Sequence, residues 1–394
     1  MPDLLIIGGG YAGVWAAMAA ARRAEDSARD LNIRLLSKDA YLTHRPRLYE
    51  CNPQDMRSAL EPVLAPIGVE LIITEVRDID AKQKRVLTSG ADETAYAYDG
   101  LILAAGSVLR PQPWGEDQGG TWSIDTHEDA VALDDHFATL KDQQHDQTGD
   151  HTVAIIGAGF TGIELATEMR VRLAEHIGRE QSERARVILL DAAGTISEEL
   201  GPGPRPHVLA ALEAAKVELA LNATINRIDG DQIILDNGER ITAATIVVTT
   251  GLQANDLAAG FGLATDATGR LPVDGNLAVK GLEDIFGAGD IAHAMTDDSH
   301  VALMSCQHAM PMGKYAGHNA ASSLLGLPML TYEQARYVTC LDLGPWGAVF
   351  TSGWEREVQA VEQEAKARKQ FIMTEAIYPP TNDRAAILEA GAIG

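Results

Sequence analysis

The chain has 394 residues, enough for two or three domains with buried cores, which excludes a lone small binding module. Hydrophobic residues make up 46% and charged residues 22%, the composition of a folded globular protein and of neither a disordered nor a fibrous one. Thirty-two basic against 56 acidic residues leave a net charge of −24, a field that repels polyphosphates and excludes nucleic acid as the expected partner.

In chain order, the apolar strand Leu4-Leu5-Ile6-Ile7 runs into Gly8-Gly9-Gly10-Tyr11-Ala12-Gly13, a GxGxxG pattern. A helix is expected over 14–29 and a second strand at Ile33-Arg34-Leu35-Leu36. The same order returns 149 residues later, with a strand at 152–156, Gly157-Ala158-Gly159-Phe160-Thr161-Gly162, a helix expected over 163–182 and a strand at Val187-Ile188-Leu189-Leu190. Two βαβ units in the context the motif requires predict two dinucleotide-binding units in one chain. The polar stretch 141–151 between them reads as a linker. Farther on, a Gly/Pro loop at 201–204 precedes a helix over 205–216 and strands over 225–228, 232–235 and 246–248, with a turn at Asn237-Gly238. The second lobe is expected to end near Gly269. Two apolar strands end in small-residue turns, one at Ala105-Gly106 and one at Thr250-Gly251, and a third strand ends in Gly289-Asp290. The last segment promises a strand near 348–350 and a helix over 354–369. Trp354, Val358, Val361 and Ala365 would form a thin apolar stripe on that helix, with Lys366, Arg368, Lys369 and Phe371 beyond it, a face expected to pack on its own domain.

Each GxGxxG loop has a mechanical logic: the first glycine makes a tight turn, the second lets backbone approach a pyrophosphate, and the third lets helix pack on strand. The helix N-terminus then offers partial positive charge to the phosphates. At the end of the second strand an acid normally accepts hydrogen bonds from a ribose. In the second unit that residue is Asp191, with no Lys or Arg in the next three positions to pair a 2′-phosphate, so NADH is expected over NADPH. In the first unit Ser37 and Lys38 stand there instead. The three cysteines, Cys51, Cys306 and Cys340, are widely separated and give no disulfide framework or metal cluster. His293, His300 and His308 lack companion ligands, and no metal is expected. No basic leader precedes the first strand, and no run reaches the ~18 apolar residues that span a bilayer, so a cytoplasmic location is expected.

Taken together, the two GxGxxG loops, the two small-residue turns and Gly289-Asp290 resemble the flavoproteins with two dinucleotide-binding domains, the pyridine nucleotide-disulfide oxidoreductase superfamily. The wording Gly159-Phe160-Thr161-Gly162-Ile163-Glu164-Leu165-Ala166, the segment Arg45-Pro46-Arg47-Leu48-Tyr49 and Cys306-Gln307-His308-Ala309 are most similar to type II NADH:quinone oxidoreductases and to AIF-like and ferroptosis-suppressor-like quinone reductases. The resemblance implies an α/β fold of two Rossmann-like three-layer domains plus a small C-terminal α+β segment. An FAD domain would comprise 1–112 and 270–330, an NADH domain 113–269, and the C-terminal segment 331–394. FAD would be held by Gly8, Gly10, Tyr11, Ala12, Gly13, Ser37, Lys38, Arg45, Pro46, Ala105, Gly106, Gly289, Asp290, His308 and Ala309. The nicotinamide nucleotide would be held by Gly157, Gly159, Phe160, Thr161, Gly162, Asp191 and Gly251. Glu164 would be the carboxylate close to nicotinamide and flavin, and Gln307 would lie at the flavin edge where a quinone arrives. Two departures are visible: Pro311 stands where relatives carry a second Gln, and Cys51 stands alone where disulfide reductases need a pair. The implied reaction passes two electrons from NADH through flavin to a small acceptor, with a quinone expected. A small iron-sulfur protein served by a patch of Arg45, Arg47 and Arg57, a specialised metabolite, or an AIF-like redox sensor stay open at this point, as do a homodimer and contact with a membrane surface.

Overall fold

The computed structural model describes residues 1–89, 94–114, 120–140 and 151–393. The linker expected over 141–151 falls outside the described residues except for His151. Two separate parallel sheets carry the chain. The first has the strand order Ala278–Val279, Leu282–Gly287, Gly100–Leu103, Asp3–Ile7, Asn32–Ser37, Glu70–Ile73, with only the Ala278–Val279 edge antiparallel. The second runs Thr121–Trp122, Thr245–Val248, Thr152–Ile156, Arg186–Leu190, Val217–Ala220, all parallel. Their central strands read as unbroken apolar runs because both faces are covered; Leu4, Leu5 and Ile6 are wholly buried, as are Val153, Ala154 and Ile155.

The internal repeat reaches beyond the glycine loops. Each unit inserts a three-stranded antiparallel meander before the parallel strand that returns beside its glycine-loop strand, at 76–80, 85–88 and 95–97 in the first and at 225–229, 232–235 and 240–242 in the second. In both sheets the winding reverses beside the first strand, between Asp3–Ile7 and Gly100–Leu103 and between Thr152–Ile156 and Thr245–Val248. Both glycine loops leave the sheet at this switch point, where ligands of open α/β sheets bind.

The helices start earlier than the apolar pattern suggests. The first spans Tyr11–Asp26 and the second Phe160–Ile177, because each begins directly at its loop; the second stops at Gly178, whose φ of +82° ends it before the short helix Arg179–Arg184. Tyr11 through Ala21 are all buried, since the helix Cys306–Leu325 covers the side that the sheet does not. Small residues allow this approach: a Cβ on Gly313 would lie 2.3 Å from the Ala12 carbonyl oxygen, and one on Gly317 would lie 2.1 Å from that of Ala16.

The C-terminal segment corrects one expectation. Residues 354–369 are not one helix: Glu357–Val361 is a strand, and the helix begins at Glu362 and ends at Phe371. The strand pairs with Ala348–Ser352, itself paired with Val338–Asp342. Arg356 and Glu362, both at φ +53°, make the bends that a continuous helix would not allow. Lys369, placed among the bases beyond the apolar stripe, is 3% exposed. Among the described residues, no helix is long and apolar enough to cross a membrane.

Candidate functional site

The first loop is tight where the backbone turns and open where a phosphate would approach. Gly8 has φ +111°, and a Cβ there would meet the Ala104 carbonyl oxygen at 2.3 Å; a Cβ on Gly13 would sit 1.8 Å from the Gly8 oxygen. At Gly10 a Cβ would meet nothing within 4 Å. The Ser37 hydroxyl is buried against the loop, 2.5 Å from where a Gly9 Cβ would stand, while Lys38 is exposed. Gly289 meets this loop from across the sheet, a Cβ there falling 2.9 Å from Ala12 Cβ and 3.5 Å from Ala309 Cβ. Beside it Ser107 Oγ donates to Asp290 Oδ2 at 2.6 Å, and Arg45 Nη1 donates to Ser107 Oγ at 3.1 Å and lies 3.8 Å from Asp290. Burial raises the Asp290 carboxyl above its ordinary range, with Arg45 and the Ser107 hydrogen bond pulling against it. Arg45 also pairs with Asp125, and Pro46 holds the short 45–47 turn in place. Ala105 and Gly106 continue from the end of the neighbouring strand, with Gly106 at φ +71°.

Tyr11, at the start of the first helix, is engaged through its hydroxyl with His44 Nδ1 at 2.9 Å; His44 in turn meets Ser58 Oγ at 2.8 Å and stacks on Tyr378 at 3.9 Å. Burial, helped by the Arg47 charge, pushes His44 down to about 4, so the ring is neutral near pH 7. His308 Nδ1 meets Gln334 Oε1 at 2.9 Å, while its Nε2 is buried with no hydrogen-bond partner. His293 and His300 pair with Asp266 and Asp297.

The second loop has the same bones and different occupancy. Gly157 has φ +105°, and a Cβ on Gly162 would lie 1.8 Å from the Gly157 oxygen. Asp191 reaches into the loop as its position implies: Oδ2 accepts from Ala158 N–H at 2.6 Å and Oδ1 from Ala193 N–H at 2.8 Å. Phe160 N–H donates to Glu199 Oε1 at 3.1 Å, and the same oxygen lies 3.0 Å from where a Gly159 Cβ would stand. Thr161 and Gly251 are exposed at the rim, the latter at φ +72°.

Glu164, one turn into the second helix, is turned inward and is 7% exposed. Its Oε1 accepts from Lys369 Nζ at 2.8 Å and from Asp342 N–H at 3.0 Å. Lys369 also donates to the Cys340 carbonyl at 3.2 Å and lies 5.5 Å above the Tyr49 ring. Around this pair, Tyr49 donates to Asp342 Oδ2 at 3.0 Å and Lys366 Nζ pairs with Asp342 Oδ1 at 2.6 Å. Burial raises the Glu164 carboxyl, with Lys369 opposing; burial also works against the Lys369 charge, but Glu164 and Asp342 outweigh it and hold the ammonium protonated. A buried acid and base thus share a proton-holding contact next to the second loop. Lys369, Asp342 and Tyr49 escaped the sequence reading because only tertiary contacts, 178 and more residues apart, assemble them around Glu164. Gln307 lies in the first turn of its helix, and its amide is engaged at both ends, Nε2 donating to the Val338 carbonyl at 2.9 Å and Oε1 accepting from Val338 N–H at 3.1 Å.

The three cysteines are unpaired, and burial pushes each thiol up to about 11, so none is a ready thiolate. Among the described residues no group of three or more His, Cys, Asp or Glu could hold a metal ion. A flavin nucleotide fits the first loop on one observation above all: the space at Gly10 is free while Gly8, Gly9 and Gly13 are each close-packed.

Residues 2–313 match the family model for pyridine nucleotide-disulphide oxidoreductases. An NADH dehydrogenase-like protein of Mycobacterium tuberculosis is 39% identical over 100% of this chain and 98% of its own length. A type II NADH:quinone oxidoreductase of the same organism is 31% identical over 73% of this chain and 66% of its own. In fold, the chain is similar to NDH2 from Plasmodium falciparum, solved in complex with NADH, with a TM-score of 0.78 at 11% identity over 99% of this chain and 97% of that one. The matched span holds both glycine loops and the Gly289-Asp290 turn, and the chain belongs to the pyridine nucleotide-disulphide oxidoreductase family.

Proposed function

We propose that this chain is an NADH-driven flavoprotein oxidoreductase, with FAD on the first loop, NADH on the second and a quinone as acceptor. The observation that carries the reading is the buried Glu164–Lys369 contact of 2.8 Å beside the second glycine loop, in a chain whose first loop keeps its pyrophosphate space open. The FAD lobe is 1–112 and 270–330, the NADH lobe 113–269, and residues from 331 onward close the site. When bound, FAD supplies the two-electron chemistry, accepting a hydride equivalent from nicotinamide and passing electrons to the acceptor. The balance is one hydride from NADH and one proton from solvent for each quinone reduced to quinol.

Within that reaction Gly8, Gly10, Gly13, Ala12, Gly289 and Asp290 bind and orient the flavin nucleotide, with Arg45 and Ser107 fixing the Asp290 carboxyl. Gly157, Gly159, Phe160 and Asp191 receive the dinucleotide. Glu164 and Lys369 would hold a proton beside the second loop, where their burial keeps water away from the contact. Gln307 anchors the acceptor side through Val338. The family relatives named for NADH and quinone support the acceptor class, and the absence of a basic residue after Asp191 supports NADH over NADPH. The three unpaired cysteines fit a reducing, cytoplasmic setting.

The test is direct. Purified protein should be yellow, and anaerobic NADH should bleach it, with colour returning on addition of a short-chain quinone. Protein that emerges colourless and cannot be reconstituted with FAD overturns the reading, and bleaching that only NADPH brings about overturns the donor.

A further inference from the structure

Resting on the reading of the second loop as the NADH seat, we propose that Glu199 is a built-in competitor for the donor's pyrophosphate and thereby sets the affinity for diphosphate-bearing nucleotides. The comparison between the two loops motivates it. A Cβ at Gly10 would meet open space, whereas a Cβ at the equivalent Gly159 would meet the Glu199 carboxylate at 3.0 Å. That carboxylate accepts the Phe160 N–H at 3.1 Å, a free donor of the helix N-terminus on which a pyrophosphate depends. One N–H group and one pocket of space cannot serve a carboxylate and a phosphate oxygen together, and the two anions repel.

The competitor is delivered and restrained by neighbouring elements. Glu199 sits in the short turn Glu198–Leu200, framed by Ser197 at φ +47° and Gly201 at φ +72°. Arg356, from the C-terminal hairpin, donates to the Glu199 carbonyl, lies 5.7 Å over the Phe160 ring and bonds the Tyr337 hydroxyl at 3.3 Å. Hairpin, turn and glycine loop therefore form one clasp. Glu199 is exposed, so its carboxylate can swing into water when displaced, while Arg356, held over the Phe160 ring by its bond to the Glu199 backbone, stays beside the helix start as a cation for the incoming diphosphate. A ligand with a doubly charged diphosphate wins this exchange; adenosine, which has no phosphate, never enters it.

The experiment uses the flavin-loaded full chain and measures equilibrium binding of ADP-ribose and of adenosine by calorimetry, for wild type, Glu199→Gln and Glu199→Ala. Removing the competing charge should tighten ADP-ribose binding about three- to tenfold, with Ala at least as strong as Gln, and should leave adenosine unchanged. Arg356→Gln should weaken ADP-ribose and leave adenosine unchanged. Equal ADP-ribose affinities in wild type and both Glu199 variants overturn the proposal while leaving the dinucleotide site standing. Tighter binding of adenosine as well also overturns it, since the effect would then not run through the diphosphate. If no variant binds ADP-ribose, the dinucleotide reading of the second loop fails and takes the proposal with it.

Discussion

The two glycine loops share sequence, strand, helix and switch point, yet they are furnished differently. Behind the first loop the helix is buried on all sides from Tyr11 to Ala21, and the loop's own second glycine faces empty space. Behind the second, the helix exposes its start at Thr161, and two acids, Asp191 and Glu199, already occupy loop N–H groups. A seat that is rigid and open suits a group that stays. One that is lined with exchangeable hydrogen-bond partners suits a ligand that comes and goes, because departure costs the loop little. The motif therefore specifies the binding chemistry, and the surroundings specify the residence time.

Lys369→Met tests the contrast hardest. It leaves Glu164 buried without its partner, and a loss of about 3–5 kcal/mol is expected in denaturant unfolding. Glu164→Gln should cost less and keep the flavin spectrum while slowing NADH turnover at least tenfold; a variant as fast as wild type would reduce the pair to a structural one. Next comes Gly13→Ala, whose Cβ would lie 1.8 Å from a carbonyl oxygen, with an expected loss of about 3 kcal/mol and of bound flavin. Gly10→Ala has room, so its melting temperature should hold while flavin retention falls; unchanged retention would show that nothing approaches that glycine.

A further prediction concerns pH and only the first loop. His44 has its folded pKa lowered from 6.5 to about 4, so the unfolded chain binds the proton first as pH falls. The stability held by the neutral ring is present above pH 6.5 and is lost between 6.5 and about 4. With allowance for partial solvent screening the loss is about 1–2 kcal/mol. Melting curves of wild type should fall more steeply across this window than those of His44→Phe, and parallel curves would remove His44 from the account. The smallest effect is expected at Asp191→Asn, which keeps one of the two acceptor contacts to the Ala158 and Ala193 N–H groups, turns an amide donor toward the other and loses the charge. NADH binding should weaken about tenfold, with the flavin untouched. An unaltered NADH affinity would separate this acid from the ribose.

Both βαβ units were legible because their signals are local: apolar runs, glycines at fixed offsets and Asp191 at a strand end. Contacts made by distant chain were not. Glu164 could be named from its loop, but Lys369 stood only among the bases beyond an apolar stripe, since nothing near position 369 records that the second helix lies beside it. The apolar offsets of Trp354, Val358, Val361 and Ala365 imitate a helix. The residues between obey a different rule, for Glu357–Val361 pairs along Ala348–Ser352, and ladder hydrogen bonds prevail over a sparse stripe. Glu199 lies in a turn with no pattern of its own and became visible only when its carboxylate was found on Phe160.

The Glu164–Lys369 contact also joins positions 205 residues apart, and its lysine lies past the family-matched span. On a ribosome both glycine loops emerge long before that lysine does. Until it arrives, the carboxylate has no countercharge and must stay hydrated or take up a proton. A chain that stops short of residue 369 is thus expected to leave Glu164 without its countercharge.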